Sequence, residues 1–376
     1  MTDWLDWPFF LAGHRQLAEQ LEDWCKANLD GAHPQNVDAA CRALVRDLGH
    51  AGFLNLCVAN EDSAPDVRSL AIARAILAYH IGLADFAFAM QGLGSGAISL
   101  FGSDAQKAEW LPKVASGEAI AAYALTEPET GSDAANIAMR AEKVGGEWRL
   151  TGEKSYISNG TIADVLTVFA RTGTAEDGAK GISAFIVQGD DPGLSVAERI
   201  EVIAPHPLAR LKFDGVKADP LGPTNAGFKV AMQTLNLFRV TVGAAALGFA
   251  RRALDEATTF AKTRKLGNAT LADNAVTQDR LGEMATLNDA SALLIARAAW
   301  QQDVGTSDNR SAAAMAKLHA TDTGQKVIDM AVQMHGGMGV TVGAKVEELY
   351  REIRALRIYE GASEVQRMII GRSLVK

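Results

Sequence analysis

The sequence predicts an α+β protein, mainly α-helical, in which helical parts flank a central run of strands. Apolar residues recur three and four positions apart before residue 120 and again from Gly227 onward, which is the spacing of one helix face. Between these parts, short segments rich in β-branched and aromatic residues are separated by Gly, Asn, Asp and Pro. Strands and helices do not alternate, so the pattern disfavours a Rossmann domain.

The first part, residues 1–119, is predicted to form an N-terminal α-helical domain. Helical spacing appears in HRQLAEQLEDWCKANL, VDAACRALVRDLGHAGF and VRSLAIARAILAYHIGLADFAFAM. A further helix is predicted over GSDAQKAEWLPKVASGE, where Ser103 and Gln106 form a capping-box pair and Pro112 lies near the helix end.

The second part, residues 120–222, is predicted to be a β domain, either a small barrel or a sandwich. Its strands are expected in EWRLTGEKSYISNG, VLTVFART, GISAFIVQ, GLSVAERI and LARLKFDGV. The third part, residues 223–376, is predicted to be a helical bundle. Its first helix places Leu235, Phe238, Val242 and Phe249 on one face.

The composition limits the function classes. A chain of 376 residues fits two or three domains, and 48% hydrophobic residues can bury a sizeable core. The net charge of −8 argues against a nucleic-acid or anionic-membrane surface, because phosphate binding needs a concentrated cationic face. Three cysteines, Cys25, Cys41 and Cys57, show no metal-ligand spacing, which indicates thiols in a reducing compartment.

The N-terminal stretch MTDWLDWPFF has two acidic residues and no Lys or Arg, unlike a signal or transit peptide. The longest apolar run, VGAAALGFA, is too short to span a bilayer. We therefore expect a soluble, cytoplasmic protein without membrane insertion.

One carboxylate lies in a distinctive setting, in RIYEGASEVQRMIIGR (residues 357–372). Glu360 precedes Gly361, and Ser363 with Gln366 resembles a capping box at the start of a helix. Glu360 is thus expected on a turn, beside a residue that allows close approach of backbone or ligand. It is either a surface acid near a helix N-terminus, which the helix dipole favours, or a catalytic base.

Four other stretches carry polar or glycine-rich patterns. The segment YALTEPETGSDAANI is either a ligand-binding loop or a turn rich in polar residues. The segment EKSYISNG either presents an aromatic ring and a hydroxyl to a ligand or is an ordinary strand end. MHGGMG requires a sharp turn or a close backbone approach, with His335 read as structural. TRKLG is a solvated helix end or a phosphate contact.

In their order and spacing, six segments resemble the acyl-CoA dehydrogenase family over nearly the whole chain. They are GSDAQKAEWLP, YALTEPETGSD, YISNG, GFKVAM, the Q-x-x-G-G-x-G turn and IYEG. The resemblance implies an N-terminal α domain, a middle β-barrel, a C-terminal four-helix bundle and bound FAD. It also implies a homotetramer that acts on acyl-CoA and passes electrons to an electron-transfer flavoprotein.

The resemblance assigns the catalytic base to Glu360, which would remove a proton α to the thioester. Some family members place the base on a bundle helix instead, directly before an arginine that aligns with Arg239. That position is Phe238 in this sequence, and its side chain cannot accept a proton.

The resemblance also implies the binding residues. Those for FAD are Tyr123, Leu125, Thr126, Ser132, Tyr156, Ser158, Arg264, Gln333, Gly337 and Gly361. Those for the substrate are Ser132, Asn236, Arg239, Ala89, Met90 and Gly361. Arg264, Gln333 and Gly337 match positions that reach the FAD of a neighbouring subunit, which is why we expect an oligomer.

Several positions depart from the family pattern at the dinucleotide end and in the CoA site. Asn236 stands where many members have Asp. Around FAD, the departures are Gly267, Asn274, Ala275, Ala362 and Glu364. We expect FAD to bind with adenine recognition that is looser or differently built.

The acyl group is expected to be uncharged, because the helix LADFAFAMQGLGSGAISL carries no arginine near Ala84 that could pair with a distal carboxylate. The small residues there, Ala84, Ala89 and Gly94, leave space for a branched or cyclic chain beside Phe86 and Met90. Two alternatives keep the scaffold: an acyl-CoA oxidase that reduces O₂, and a non-catalytic, DNA-associated relative.

Overall fold

The computed structural model describes residues 3–29, 34–59, 65–305 and 309–375. The chain divides into two compact units. Unit 1 comprises Met1–Ala32, Asp66–Asp85 and Arg239–Lys376, and unit 2 comprises His33–Pro65 and Phe86–Phe238. The side chains of Cys25, Cys41 and Cys57 are buried thiols that form no disulfide with one another.

The N-terminal part is helical, as predicted. Its helices are α1 (Ala12–Asn28), α2 (Val37–His50), α3 (Val67–His80), α4 (Gly82–Phe101) and α5 (Asp104–Ser116). The predicted capping box of α5 is confirmed, because the Ser103 hydroxyl accepts from the Gln106 N–H and the Gln106 side chain accepts from the Ser103 N–H. Asn36 caps α2 and Asp66 caps α3 through their side-chain oxygens. The apolar pattern over residues 67–90 is interrupted at Ile81, which separates α3 from α4.

The middle part contains seven strands among its described residues. They are β1 (Ala121–Ala124), β2 (Arg140–Val144), β3 (Glu147–Ser158), β4 (Val165–Arg171), β5 (Ile182–Gln188), β6 (Leu194–Arg199) and β7 (Leu208–Leu221). The five predicted strands correspond to β3 to β7. Sequence patterns missed β1, which is three-quarters alanine, and β2, which is short and mostly exposed.

The strands close into a barrel rather than a sandwich. Pairing runs from β4 to β2, β3, β7 and β5 and returns to β4, so the ring has no open end. Strand β1 lies parallel to β4, and β6 lies antiparallel to β7. The interior holds Leu150, Val168, Phe185 and Phe213, all essentially inaccessible to solvent.

The outer faces of β4 and β5 are covered as well, which is why every residue of β4 is buried. Phe169 and Ile186 belong to a second apolar cluster in unit 2 that includes Ile98 of α4 and Trp110 and Leu111 of α5. Burial on both faces explains why these strands read as continuous apolar runs rather than alternating ones.

The C-terminal part is again helical, as predicted. Its elements are α6 (Gly227–Thr263), β8 (Lys265–Leu266), β9 (Ala269–Thr270), α7 (Ala275–Asp303), α8 (Arg310–His335), α9 (Lys345–Leu356) and α10 (Ser363–Leu374). Helix α8 packs against α7, α9 and α10. Among the described helices, α6 is long and apolar enough to cross a membrane, but 78% of its most apolar window is buried, as in the core helix of a folded protein.

The predicted capping box at Ser363 is wrong. Ala362 is the N-cap residue of α10, and Ser363 is the first residue of the helix. The Ser363 hydroxyl instead donates to Asp322 Oδ1 of α8 at 3.0 Å. The Ser363 hydroxyl therefore bonds to a residue distant in the sequence and does not cap the first turn of α10.

Candidate active site

Glu360 lies on the turn between α9 and α10, as predicted. Its φ is +50°, and the next residue, Gly361, has φ +88°. A glutamate in the left-handed region is uncommon, and such residues concentrate at functional sites. A Cβ on Gly361 would lie 2.6 Å from Gln366 Nε2, so glycine is needed here for both backbone angle and space.

Side chains from two helices hold this turn in place. Gln366 Nε2 and Lys317 Nζ both donate to the Gly361 carbonyl oxygen, at 2.7 and 2.8 Å. Asp322 accepts from Arg357 Nε at 2.8 Å and from the Ser363 hydroxyl, so α8 fixes both ends of the turn. Among the hydrogen bonds of the described residues, none uses the N–H of Glu360, which leaves that donor available to a ligand.

Glu360 is half-buried, and its carboxyl group is partly withdrawn from solvent. Burial raises its pKa, and the positive charges of Arg74, Lys317 and Arg239 oppose that rise. Its Oε2 is shielded from solvent and has no hydrogen-bond partner among the described residues. A buried carboxyl oxygen without a partner is costly in a purely structural role, which favours a group that meets a ligand.

A buried ion pair in unit 1 supplies one of these charges. The Arg74 guanidinium binds both carboxylate oxygens of Asp85 at 2.8 and 2.9 Å and donates to the Thr241 hydroxyl at 3.1 Å. Sequence reasoning missed this pair. A signal was present, because Arg74 interrupts a helix whose neighbouring residues are all buried.

In unit 2, hydrogen bonds and a buried ion pair hold the predicted polar loop after β1. Glu127 accepts from the N–H groups of Ala138 and Met139, at 2.6 and 3.0 Å. Lys154 of β3, fully buried, donates to Glu127 Oε1 at 2.8 Å and to the Leu125 carbonyl at 2.9 Å. Burial lowers the pKa of Lys154 to about 8, and the Glu127 charge opposes this. The sequence did not predict that Glu127 and Lys154 form a buried ion pair.

The end of β3 presents the predicted aromatic residue. Tyr156 has φ +55° at an irregularity in the β3–β7 pairing, and 63% of it is exposed. The hydroxyls of Thr126, Ser132 and Ser158 have no hydrogen bond within the described chain. The Ser155 N–H donates to the Thr126 carbonyl at 2.9 Å, which places this loop beside the end of β3. An exposed ring and available hydroxyls are groups that can meet the face and the polar edge of a flavin.

The other predicted residues of unit 2 lie in more structural settings. The Tyr123 hydroxyl donates to the Ala231 carbonyl at 3.2 Å and its ring packs on Phe169, so its side chain belongs to the core. Ala89 and Met90 are buried on α4, Leu125 is buried after β1, and Asn236 is half-buried on α6. Phe238 is buried, with its ring against Gly92 and Gly96 of α4.

The other predicted residues of unit 1 divide into one buried and three exposed positions. Arg239 is buried on α6, whereas Arg264, Gln333 and Gly337 are exposed at helix ends. His335 donates from Nδ1 to the Ala331 carbonyl and stacks on Phe260, in agreement with its reading as structural. No group of metal-ligating side chains occurs in the described ranges.

Comparison with known proteins places the chain in a family. The N-terminal, middle and C-terminal domain models of the acyl-CoA dehydrogenases match residues 12–118, 122–216 and 225–375. The mitochondrial short-chain specific acyl-CoA dehydrogenase of Bos taurus is 35% identical over 374 residues, covering 96% of this chain and 90% of the relative. The chain belongs to the acyl-CoA dehydrogenase family. It is thus an FAD-dependent oxidoreductase, and the resemblance inferred from the sequence is confirmed.

Two further comparisons describe this acyl-CoA dehydrogenase. It is 39% identical over 283 residues to a 3-(aryl)acrylate reductase of Clostridium sporogenes, covering 74% of each chain. Its structure matches butyryl-CoA dehydrogenase from Megasphaera elsdenii with a TM-score of 0.89 and 29% identity, covering 98% of this chain and 99% of the other. The predicted fold of helical, β and helical domains is confirmed. The domain limits and the residue assignments stay predictions.

Proposed function

We propose that this acyl-CoA dehydrogenase oxidises a short, uncharged acyl-CoA to the 2-enoyl-CoA, with Glu360 as the base that removes the α proton. The observation that carries the proposal is the setting of Glu360: a half-buried carboxyl group with one shielded oxygen that has no partner among the described residues, on a turn that α8 and α10 hold in a left-handed conformation. Bound FAD would accept the hydride that leaves the β carbon.

Desolvation suits the carboxylate to this step. An ordinary carboxylate is too weak a base in water, and burial raises its pKa toward the pH at which it must work. The turn also leaves the N–H of Glu360 available, so the same residue can donate to the thioester oxygen and make the α proton more acidic.

For the substrate, the CoA moiety would meet Ser132, Asn236 and Arg239. Relatives named as short-chain dehydrogenases support a short acyl group. The described residues 82–94 of α4 include no arginine or lysine, so an acyl group with a distal carboxylate would find no partner on this helix. The 3-(aryl)acrylate reductase makes an aryl-substituted acyl group a further candidate.

The residues that would hold FAD are the loop residues Leu125, Thr126 and Ser132, with Tyr156 and Ser158 at the ring. At the dinucleotide end, two departures from the family pattern have local uses: the Asn274 side chain caps α7, and Gly267 has φ +64° between β8 and β9. We infer that adenine recognition is built differently here and involves fewer side chains.

In an oligomer, residues of a neighbouring subunit would complete the part of the FAD site that holds the dinucleotide end of the cofactor. Arg264, Gln333 and Gly337 are exposed, and Met338, Val340 and Val342 beside them leave 58–86% of their apolar side chains exposed. Such a patch favours a protein interface, in agreement with a homotetramer. We further propose a cytoplasmic protein, without membrane insertion or nucleic-acid binding, that reduces an electron-transfer flavoprotein.

The test is anaerobic reduction of the bound flavin by a panel of acyl-CoAs of short, medium, branched, alicyclic and aryl-substituted chains. Wild type should lose its yellow colour with its own substrate, while Glu360→Gln should bind the same acyl-CoA and keep the colour. Glu283→Gln, an exposed glutamate on α7, is the matched control and should behave as wild type. Bleaching of Glu360→Gln at the wild-type rate would refute the assignment of the base.

The same preparation decides between the alternatives. Peroxide formation at the rate of turnover would make the protein an oxidase. Duplex DNA binding that weakens steeply with salt, without bleaching by any acyl-CoA, would favour the non-catalytic relative.

A further inference from the structure

A buried lysine supports the turn that carries Glu360. Lys317 lies on α8 on a face of small buried residues, namely Ala313, Ala320, Thr321 and Gly324. Its side chain is fully buried, and within the described chain its Nζ donates to one acceptor, the Gly361 carbonyl oxygen at 2.8 Å.

That hydrogen bond does not by itself explain a lysine. The Gly361 carbonyl already accepts from Gln366 Nε2 at 2.7 Å, so it would remain satisfied without Lys317. Burying an ammonium group costs far more than burying an amide, and this cost lowers the pKa of Lys317 to about 8. What Lys317 adds to the turn is therefore its positive charge.

The hydrogen bond to Gly361 places this charge next to Glu360 in the chain. Among the charged groups that affect Lys317, the Glu360 carboxylate is the strongest, followed by Arg239, Asp322 and Glu364. The groups around Glu360 itself come from several elements: Arg74, Asp85, Arg239 and Lys317, with Tyr359 beside it on the turn. The Arg74 guanidinium is committed to Asp85 and Thr241, whereas the Lys317 ammonium contacts the turn directly.

We propose that Lys317 is a positioning residue for the reaction: its ammonium group fixes the Glu360–Gly361 turn and favours the ionised form of the Glu360 carboxylate. The role rests on the proposed function of Glu360 as base. Lys317 transfers no proton in the reaction. It keeps the base deprotonated in a desolvated site and holds the backbone that orients it.

The first test compares the pH dependence of flavin reduction in wild type, Lys317→Met and Lys317→Arg. We expect the acid limb of the Lys317→Met profile to move up by about one pH unit, because Glu360 loses a nearby positive charge. The acid limb of the Lys317→Arg profile should stay at the wild-type pH. Lys326→Met, an exposed lysine on the same helix, is the matched control. A Lys317→Met rate that falls equally at every pH, or does not change, would overturn the proposal.

The second test does not depend on catalysis. Denaturant midpoints at pH 7 are measured for Lys317→Met, Glu360→Gln and the double variant. Because Lys317→Met removes one of the positive charges that act on the Glu360 carboxylate, Glu360→Gln should restore part of the lost midpoint or rescue a single variant that fails to fold. Purely additive losses would overturn the coupling. If wild type is bleached by no acyl-CoA, the function of the site is wrong, and this cycle still decides whether the two groups interact.

Discussion

Lys154 Nζ donates to Glu127 Oε1 at 2.8 Å, in a part of unit 2 where Lys154 is fully buried and Glu127 is 6% exposed. The pair joins β3 to the loop that carries Thr126 and Ser132. We expect Glu127→Gln to lower the free energy of unfolding by about 3–5 kcal/mol, because it leaves a buried ammonium without its counter-charge. Guanidinium unfolding followed by circular dichroism measures the loss.

The control is an exposed pair in the same barrel. Lys217 Nζ lies 2.7 Å from Glu147 Oε1, with both side chains about half exposed, so Glu147→Gln should change stability little. Lys154→Met should cost less than Glu127→Gln, because Glu127 would keep its hydrogen bonds from Ala138 and Met139. Equal effects of Glu127→Gln and Glu147→Gln would contradict this account.

The contact between Phe238 and α4 gives a packing prediction. A Cβ on Gly96 would lie 2.5 Å from the Phe238 ring, so Gly96→Ala should destabilise the protein by about 1–3 kcal/mol through overpacking. Thermal unfolding is the measurement. Gly282→Ala is the matched helical control: no atom lies within 4 Å of its added Cβ, and we expect a gain of about 0.5–1 kcal/mol. Phe238→Leu should recover part of the Gly96→Ala loss, and a loss that persists unchanged would show that another contact is responsible.

Local patterns in the sequence predicted the fold well where the partners are close in the chain. The Ser103–Gln106 box forms because both partners lie within one helical turn and nothing else competes for them. The same pattern at Ser363 failed, because Asp322, 41 residues away, accepts the hydroxyl. Strand β1 was missed for a similar reason: its Ala-rich sequence has low β-propensity, and it exists through parallel pairing with β4.

The candidate site could be predicted in part. The turn at Glu360 followed from a short motif and the role of base from the family resemblance, whereas the charges that surround Glu360 followed from neither. Lys317, Arg74 and Lys154 resemble ordinary solvated cations in the sequence, and only tertiary packing buries them. Their common signal is a cation on a helix or strand face of small or apolar residues, as with Lys317 between Ala313 and Ala320.

Substitution of Gly361 should change the geometry of the turn, and so the rate of flavin reduction, in a protein that still folds and binds FAD. With φ +88° and Gln366 Nε2 at 2.6 Å from an added Cβ, Gly361→Ala would shift the turn and displace Gln366. We expect flavin reduction to slow by about 10²-fold, because a displacement of the base near 1 Å has that effect. Stopped-flow absorbance on FAD-saturated protein measures the rate. Gly371→Ala on α10, where an added Cβ meets nothing within 4 Å, should keep the wild-type rate. A wild-type rate in Gly361→Ala would mean that the turn tolerates the shift.

Two carboxylates at the start of α3 predict a pH dependence of stability. Asp303 accepts from the Val67 and Arg68 N–H groups at 2.8 and 3.1 Å, and Asp66 accepts from His14 Nε2 and the Ser69 N–H. Burial and the neighbouring Asp66 raise the pKa of Asp303 to about 7, against the opposing effect of the Val67 N–H and of the Arg68 guanidinium, whose Nε donates to Asp303 Oδ2 at 2.7 Å. Burial disfavours ionisation of Asp66, but hydrogen bonds with His14, Asp303 and Ser69 together hold its pKa well below its usual range.

The sign follows from the proton balance. Between about pH 4 and 7 the folded protein binds a proton at Asp303 that the unfolded chain has lost, so this residue makes stability fall as pH rises, by at most about 1.4 kcal/mol per pH unit. Between about pH 5 and 7 Asp66 is ionised in both states, so it adds almost no slope there. Asp303→Asn should therefore flatten the unfolding midpoint against pH between 5 and 7, relative to wild type. Asp289→Asn, exposed on the same helix, should run parallel to wild type, and a parallel curve for Asp303→Asn as well would show that Asp303 is ionised in the folded protein.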